Sequence, residues 1–422
     1  MRKTLSCIAI IALFVLLCQS VLADYDSGLF TGINEIVYDP SSILCPDLID
    51  NYFTIPDDGM PRKNCNFFTQ LSDDTFLLGE NGNTCYHVNA FGDVLQAVEV
   101  IHPDFHSESS VVWIANVVDQ NMIVATYSYE HNATALAVID SAGHVEFSPV
   151  IKKVLKKAIP LKDGLLLCGS QDVLDNQTGI LEARPWAAKV NQYGICWEYT
   201  YDQLLGTGKS ELDWFELCSA DQDGYLFFRD WVMGTKYQCS IIRLSHDGSF
   251  VEEQVLNEDG TFDPGFTPRA LSVKDSRIYL LGDLYDTNNN SAYLPTLFSI
   301  DQNEGVQHRS YPDAEDIGGL VLTDEGYVFI TYRHSKNPGV SLMMTDFNGN
   351  PIKTIDFSDF SASQDARTKH SVHEIVSDPS GIWCAGVTSY GSSDELCSSL
   401  FLSHLKLLCC LGVSDRLEEQ EL

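Results

Sequence analysis

The 422-residue chain carries 59 acidic against 26 basic side chains, a formal charge of −33. A field of that sign makes phosphate backbones and anionic membrane surfaces poor partners. One hydrophobic core stops growing at about 250 to 300 residues, so a chain of this length must hold several domains or a repeat.

The first predicted element is a secretory leader. Arg2 and Lys3 precede ten apolar residues from Ile8 to Leu17, and Val21-Leu22-Ala23 leads into acidic Asp24-Tyr25-Asp26. That three-part layout predicts a signal peptide over 1–23, cleaved after Ala23, and hence a secreted, extracellular protein. The apolar run is too short to cross a membrane as a helix, which takes about 20 residues. A mature chain would hold 24 basic against 59 acidic residues, a balance of −35. It would also hold 11 cysteines, an odd number spread too widely for a disulfide framework. Most of them read as packing residues, and Cys45 with Cys65 could staple the N-terminal segment.

Residues 24–66 match nothing downstream. They read as an extra outer strand that latches a ring, or as a partial blade. From residue 67 to 412 a unit recurs. Its first landmark is a polar turn followed by apolar residues: DDTFLLG at Asp73, QNMIVAT at Gln120, DGLLLCG at Asp163, DGYLFFR at Asp223, DSRIYLLG at Asp275, EGYVFIT at Glu325 and SGIWCAG at Ser380. The second is a strand, a polar turn with glycine, and another strand. Asn89, Asp140 and Asn191 head three such turns at a spacing of 51 residues, and the column continues at Ser245, Asp301 and Asp346. Each unit thus predicts four short strands, the cue for a propeller blade. Four consecutive apolar residues leave no wet face, so each sheet must be covered on both sides, and stacking like sheets in a circle does this without helices. Ala125, Cys168 and Ala385 share one column, where neighbouring sheets would approach closely. The expected fold is therefore an all-β propeller of about seven four-stranded antiparallel blades, with eight as the alternative, followed by an acidic tail over 413–422.

One segment breaks the pattern. VIKKVLKKAI, from Val150, has apolar residues and lysines at helical spacing. It reads as a short basic helix on periodicity alone, and in a ring as a connector or distorted first strand.

The repeat resembles the blades of secreted bacterial propeller proteins, whose unit runs as a DGGY-like turn, an apolar strand with glycine, and a later apolar-Lys-apolar-Asp-x-x-Gly turn. KVNQYGICWEY at Lys189 is also distantly similar to a blade turn of quinoprotein dehydrogenases, although the docking tryptophan and calcium-binding set of those enzymes are not found. The resemblance implies architecture rather than activity.

In a propeller, loops joining second to third strands share a face with those joining blades. Here these fall at 127–135, 169–185, 229–238, 282–295, 331–340 and 387–398, and carry Trp231, Tyr285, His334 and Tyr390 as candidate binding residues. Rings over polar loops suit protein or polysaccharide recognition, while the plain alternative is loop packing. No catalytic motif, metal-ligand spacing or cofactor loop occurs. The expectation is an exported, non-enzymatic, monomeric recognition or scaffold protein without cofactor or metal, the alternative being a carbohydrate-active hydrolase or lyase with carboxylates at the ring mouth. A quinoprotein oxidoreductase stands third. Asn132-Ala133-Thr134, Asn176-Gln177-Thr178 and Asn289-Asn290-Ser291 are sequons that a eukaryotic secretory pathway would read.

Overall fold

The computed structural model describes residues 49–54, 65–71, 75–80, 82–106, 110–174, 181–201, 210–233, 236–256, 265–286, 292–301, 305–323, 326–333, 339–356, 369–378, 381–392 and 395–406. Strand β1 (Ile49–Thr54) stands alone in the chain. After it come six antiparallel sheets, each of four consecutive strands. The first holds β2 (Cys65–Gln70), β3 (Phe76–Glu80), β4 (Thr84–Val88) and β5 (Val94–Glu99), and the second β6 (Ser110–Val118), β7 (Asn121–Ser128), β8 (Ala133–Ile139) and β9 (Val145–Phe147). The third comprises β10 (Val154–Leu161), β11 (Gly164–Leu174), β12 (Leu181–Asn191) and β13 (Gly194–Thr200). In the fourth are β14 (Ser210–Asp221), β15 (Gly224–Met233), β16 (Lys236–Leu244) and β17 (Phe250–Val255). The fifth has β18 (Phe266–Lys274), β19 (Arg277–Asp286), β20 (Ala292–Asp301) and β21 (Gly305–Ser310). The sixth has β22 (Asp316–Leu322), β23 (Gly326–Arg333), β24 (Gly339–Asp346) and β25 (Pro351–Asp356). A last sheet unites β26 (Lys369–Asp378), β27 (Gly381–Ser392) and β28 (Glu395–Lys406) with β1, which pairs antiparallel with β28.

The sheets are in a propeller arrangement. First strands lie side by side in chain order, β2 by β6, β6 by β10 and onward to β26, which returns to β2. Apolar clusters span neighbouring sheets: Phe215 and Phe227 pack with Leu166 and Cys168, Tyr279 with Tyr327, and Ile330 with Ile375. Last sheet meets first where the Trp383 ring lies 4.6 Å from that of Phe76. The second-strand runs Phe76–Leu78, Leu165–Cys168 and Phe227–Phe228 are wholly buried, as their unbroken apolarity requires.

Two local devices account for the sequence landmarks. In DG-type turns, Gly164, Gly224 and Gly326 open the second strand. A Cβ there would stand 1.9, 2.1 and 1.7 Å from the carbonyl oxygens of Val190, Leu244 and Thr345 on the third strand. At the turns between third and fourth strands, the Oδ1 atoms of Asn89, Asp140 and Asp346 each accept two backbone N–H bonds at 2.8–2.9 Å. These Asx turns place a glycine in left-handed conformation, as with Gly143 at φ 85°.

A third device was not visible in the repeat. In every sheet the pairing of first and second strands slips by one residue at the same point, giving β-bulges at Asn66, Trp113, Lys156, Glu216, Arg269, Gly319 and His373. The small-residue column Ala125, Cys168 and Ala385 lies opposite the residue just after the bulge and is fully buried. The bulge also corrects the helical reading of VIKKVLKKAI. Val154–Leu161 is strand β10, and its extra residue at Lys156 breaks the two-residue alternation.

Cys65, Cys85, Cys168, Cys218, Cys239 and Cys384 are buried free thiols, and Cys196 is an exposed one. Burial pushes the Cys85 thiol up to about 12, so these side chains serve as small hydrophobes. Cys45, the proposed partner of Cys65, lies outside the described residues.

Candidate recognition face

The bulges supply charge to the axial wall. Lys156 Nζ stands 3.4 Å from Glu216 on the neighbouring sheet and 4.4 Å above the Trp214 ring. Lys157 instead meets Glu374 at 3.6 Å. These two residues belong to the third and last sheets, which are not neighbours in the ring, so the pair reaches across the axis. The Glu374 carboxylate raises the Lys157 ammonium pKa, against the opposing effect of burial. Arg269 Nε bonds Asp283 at 3.0 Å and its Nη2 bonds Asp316 on the next sheet at 3.2 Å. The axial carboxylates are therefore each answered by a cation. Asp283 is 3% exposed, and burial pushes its carboxyl up to about 6 despite Arg269, helped by the nearby Asp316 charge.

A second polar network is largely internal, with Glu253 at its partly exposed edge. Arg229, 1% exposed, makes bidentate bonds to Asp213 at 2.6 and 2.8 Å and a third bond to Glu253 at 3.2 Å. Tyr201 and Ser240 donate to the same Glu253 at 2.6 and 2.7 Å. The guanidinium lies between the rings of Tyr201 and Trp231, 3.9 and 4.3 Å from their centroids. Trp231, expected on an exposed loop, is thus a 2% exposed residue of β15 that stacks on a structural arginine. A residue two places from a buried arginine in an extended run shares its face, and that is the signal that could have identified it.

Among the described residues, the face carrying second-to-third-strand loops holds two aromatic groups. On the fifth sheet, Tyr285, next to last in β19, lies directly opposite Tyr293 of β20, with ring centroids 5.3 Å apart. Tyr293 is 58% exposed and Tyr285 only partly. Tyr285 is among the candidates read from the sequence and Tyr293 is not, although the two face each other across one hairpin. On the second sheet, Tyr129 is 57% exposed and meets Tyr127 edge-on at 5.2 Å, while Tyr127 meets Trp113 at 5.6 Å. Beside it Phe105 stacks on His131 at 5.8 Å, and His106 comes within 4.0 Å of Glu130. Tyr390 falls within β27, opposite Cys397 in register. His334 lies outside the described residues.

Among the described residues, no group of three His, Cys, Asp or Glu side chains is placed to hold a metal ion. A seam between Leu226, Arg243 and Ile278 encloses about 20 Å³, room for one water.

No family model matches the sequence, and no curated protein matches it. Among solved structures, Raptor from Chaetomium thermophilum superposes with a TM-score of 0.49 at 11% identity. That match covers 85% of this chain but only 29% of Raptor. The AfRom2 CNH domain gives 0.43 at 9% identity over 83% of this chain and 98% of its own. Prolyl oligopeptidase B from Galerina marginata gives 0.47 at 13% identity over 80% and 51%.

Proposed function

We propose that the chain is an exported recognition or scaffold propeller, a monomer of seven blades closed by β1, that binds a protein or polysaccharide through the loop face. A propeller is compatible with such a role. The observation that carries the reading is the Tyr285–Tyr293 pair. An exposed ring backed by a second ring offers a flat apolar surface at little cost in side-chain entropy, and it stands on strand ends rather than on a free loop. Export rests on the leader pattern of residues 1–23. Substituting both tyrosines by alanine should abolish capture on a glycan array or in a pull-down from extracellular material without lowering the unfolding free energy by more than about 1 kcal/mol. Retained capture would refute the assignment of the site.

A hydrolytic reading is favoured by one feature, Asp283. A carboxyl titrating near 6 beside Asp316 has the protonation behaviour of a general acid next to a charged partner. Turnover on a glycan panel, lost in Asp283→Asn, would replace recognition with catalysis. Absence of turnover across the panel leaves the tyrosine face as the functional element.

A further inference from the structure

We infer that Asn132 is an N-glycosylation site and that the first sugar of its glycan packs on the face of Tyr129. The inference rests on the reading of the chain as exported. The hairpin joining β7 to β8 turns through Tyr129, Glu130, His131 and Asn132, all exposed, on the loop face of the second sheet. Asn132 adopts φ 46°, a left-handed position that asparagine tolerates. Its Oδ1 accepts a bond from Tyr127 Oη at 3.1 Å. That bond orients the amide so that Nδ2, the nitrogen that would carry sugar, is on the side away from Tyr127. Ala133 and Thr134 complete the acceptor triplet.

Tyr129 supplies the second, independent observation. It sits three residues before Asn132 on the same turn, its ring held perpendicular to that of Tyr127 and more than half of its surface in water. Braced rings present one face to a neighbour, and the apolar C–H face of a hexosamine is a chemical match for it. Among the described residues, the ring that meets Tyr129 is Tyr127. A sugar on Asn132 would bury Tyr129.

The transfer itself forms a bond from Asn132 Nδ2 to C1 of the first N-acetylhexosamine. The C1–oxygen bond to a lipid-linked pyrophosphate donor breaks, the lipid pyrophosphate leaves, and one amide proton passes to a base of the transferase. Thr134 sets the timing. It is fully buried, donates Oγ1 to the Lys153 carbonyl at 3.1 Å, and exchanges backbone bonds with Ile151. A transferase that must read the threonine hydroxyl cannot reach it in the folded sheet, so the glycan is added before β8 docks. If the glycan occupies Tyr129, the tyrosine pair of the fifth sheet remains as the partner surface of the same face.

The test is to express the full chain with its own leader in a eukaryotic secretory cell and to release glycans enzymatically in heavy-oxygen water. Secreted protein should show Asn132 converted to labelled aspartate at high occupancy, and Asn132→Gln should lose one glycan's mass. The glycan should raise the Tm of wild type but not of Tyr129→Ala, each compared with its enzymatically deglycosylated form. Secreted chain with unmodified Asn132 overturns the site while leaving export intact. Equal Tm increments in wild type and Tyr129→Ala overturn the stacking. Chain retained in the cytosol without glycan overturns export and the site together.

Discussion

Arg229 and Asp283 are both buried, and different measurements test the electrostatics of each. Arg229 answers two buried carboxylates, and burial already pushes the Asp213 carboxyl upward against its influence. Arg229→Met would leave Asp213 and Glu253 without a cation, and loss of one member of a buried pair costs about 3–5 kcal/mol. Urea unfolding should register that loss, whereas Trp231→Phe, which keeps a ring over the guanidinium, should cost far less. Asp283 behaves differently because its folded pKa is raised, from 3.8 to about 6. The native state holds its proton more tightly than the unfolded chain does. Its contribution is therefore fully favourable below about pH 4 and is lost as pH rises through 6. By the size of the shift this amounts to about 2–3 kcal/mol between those limits. Asp283→Asn should remove that component, so the stability difference between wild type and variant must change across pH 4–7. A constant difference would show that Asp283 titrates normally.

At the scale of the element, what could be read from sequence is what is local. The DG turns, apolar second strands and Asx turns depend on residues close in sequence, and each left a pattern that repeats at about one blade length. The axial wall left none. Lys157 and Glu374 meet only because the ring brings distant strands to one axis. The paired lysines of VIKKVLKKAI mimic helical spacing because a bulge lets consecutive residues, Lys156 and Lys157, each reach an axial carboxylate. Alternation fails wherever register slips, so the same device that builds the wall hides it. Of the four loop candidates, Tyr285 lies near the end of its strand as its position predicts, while Trp231 is buried because strand β15 runs on to Met233. The tight glycines test the element directly. Gly326→Ala would force a methyl group against the Thr345 carbonyl, 1.7 Å from its ideal position. Strands β23 and β24 must part at that turn, at a cost of about 1–3 kcal/mol. Alanine at Gly143, where a Cβ would meet no atom within 4 Å, faces only the backbone penalty of φ 85° and should cost less, about 1 kcal/mol.

For the whole molecule the governing quantity is the excess of acid over base. Local ion pairs such as Lys189–Asp163 stand near the surface, where each contributes about 0–1 kcal/mol and is weakened by salt. Against them stands the mutual repulsion of a chain at −33, which salt relieves and unfolding relieves by separating the charges. Raising ionic strength from about 0.01 M to 0.15 M shortens the screening length from about 30 Å to about 8 Å, from the span of the domain to that of neighbouring side chains. Long-range repulsion is then removed, while contacts within 4 Å are weakened only in part. Repulsion wins in this comparison, because the acidic side chains outnumber the possible cationic partners by more than two to one. The urea midpoint should therefore rise with sodium chloride over that range, and by a similar amount with potassium chloride. A falling midpoint would mean that the short-range pairs of the axis and rim dominate the electrostatics, and that the excess acid is already dispersed widely enough to cost little.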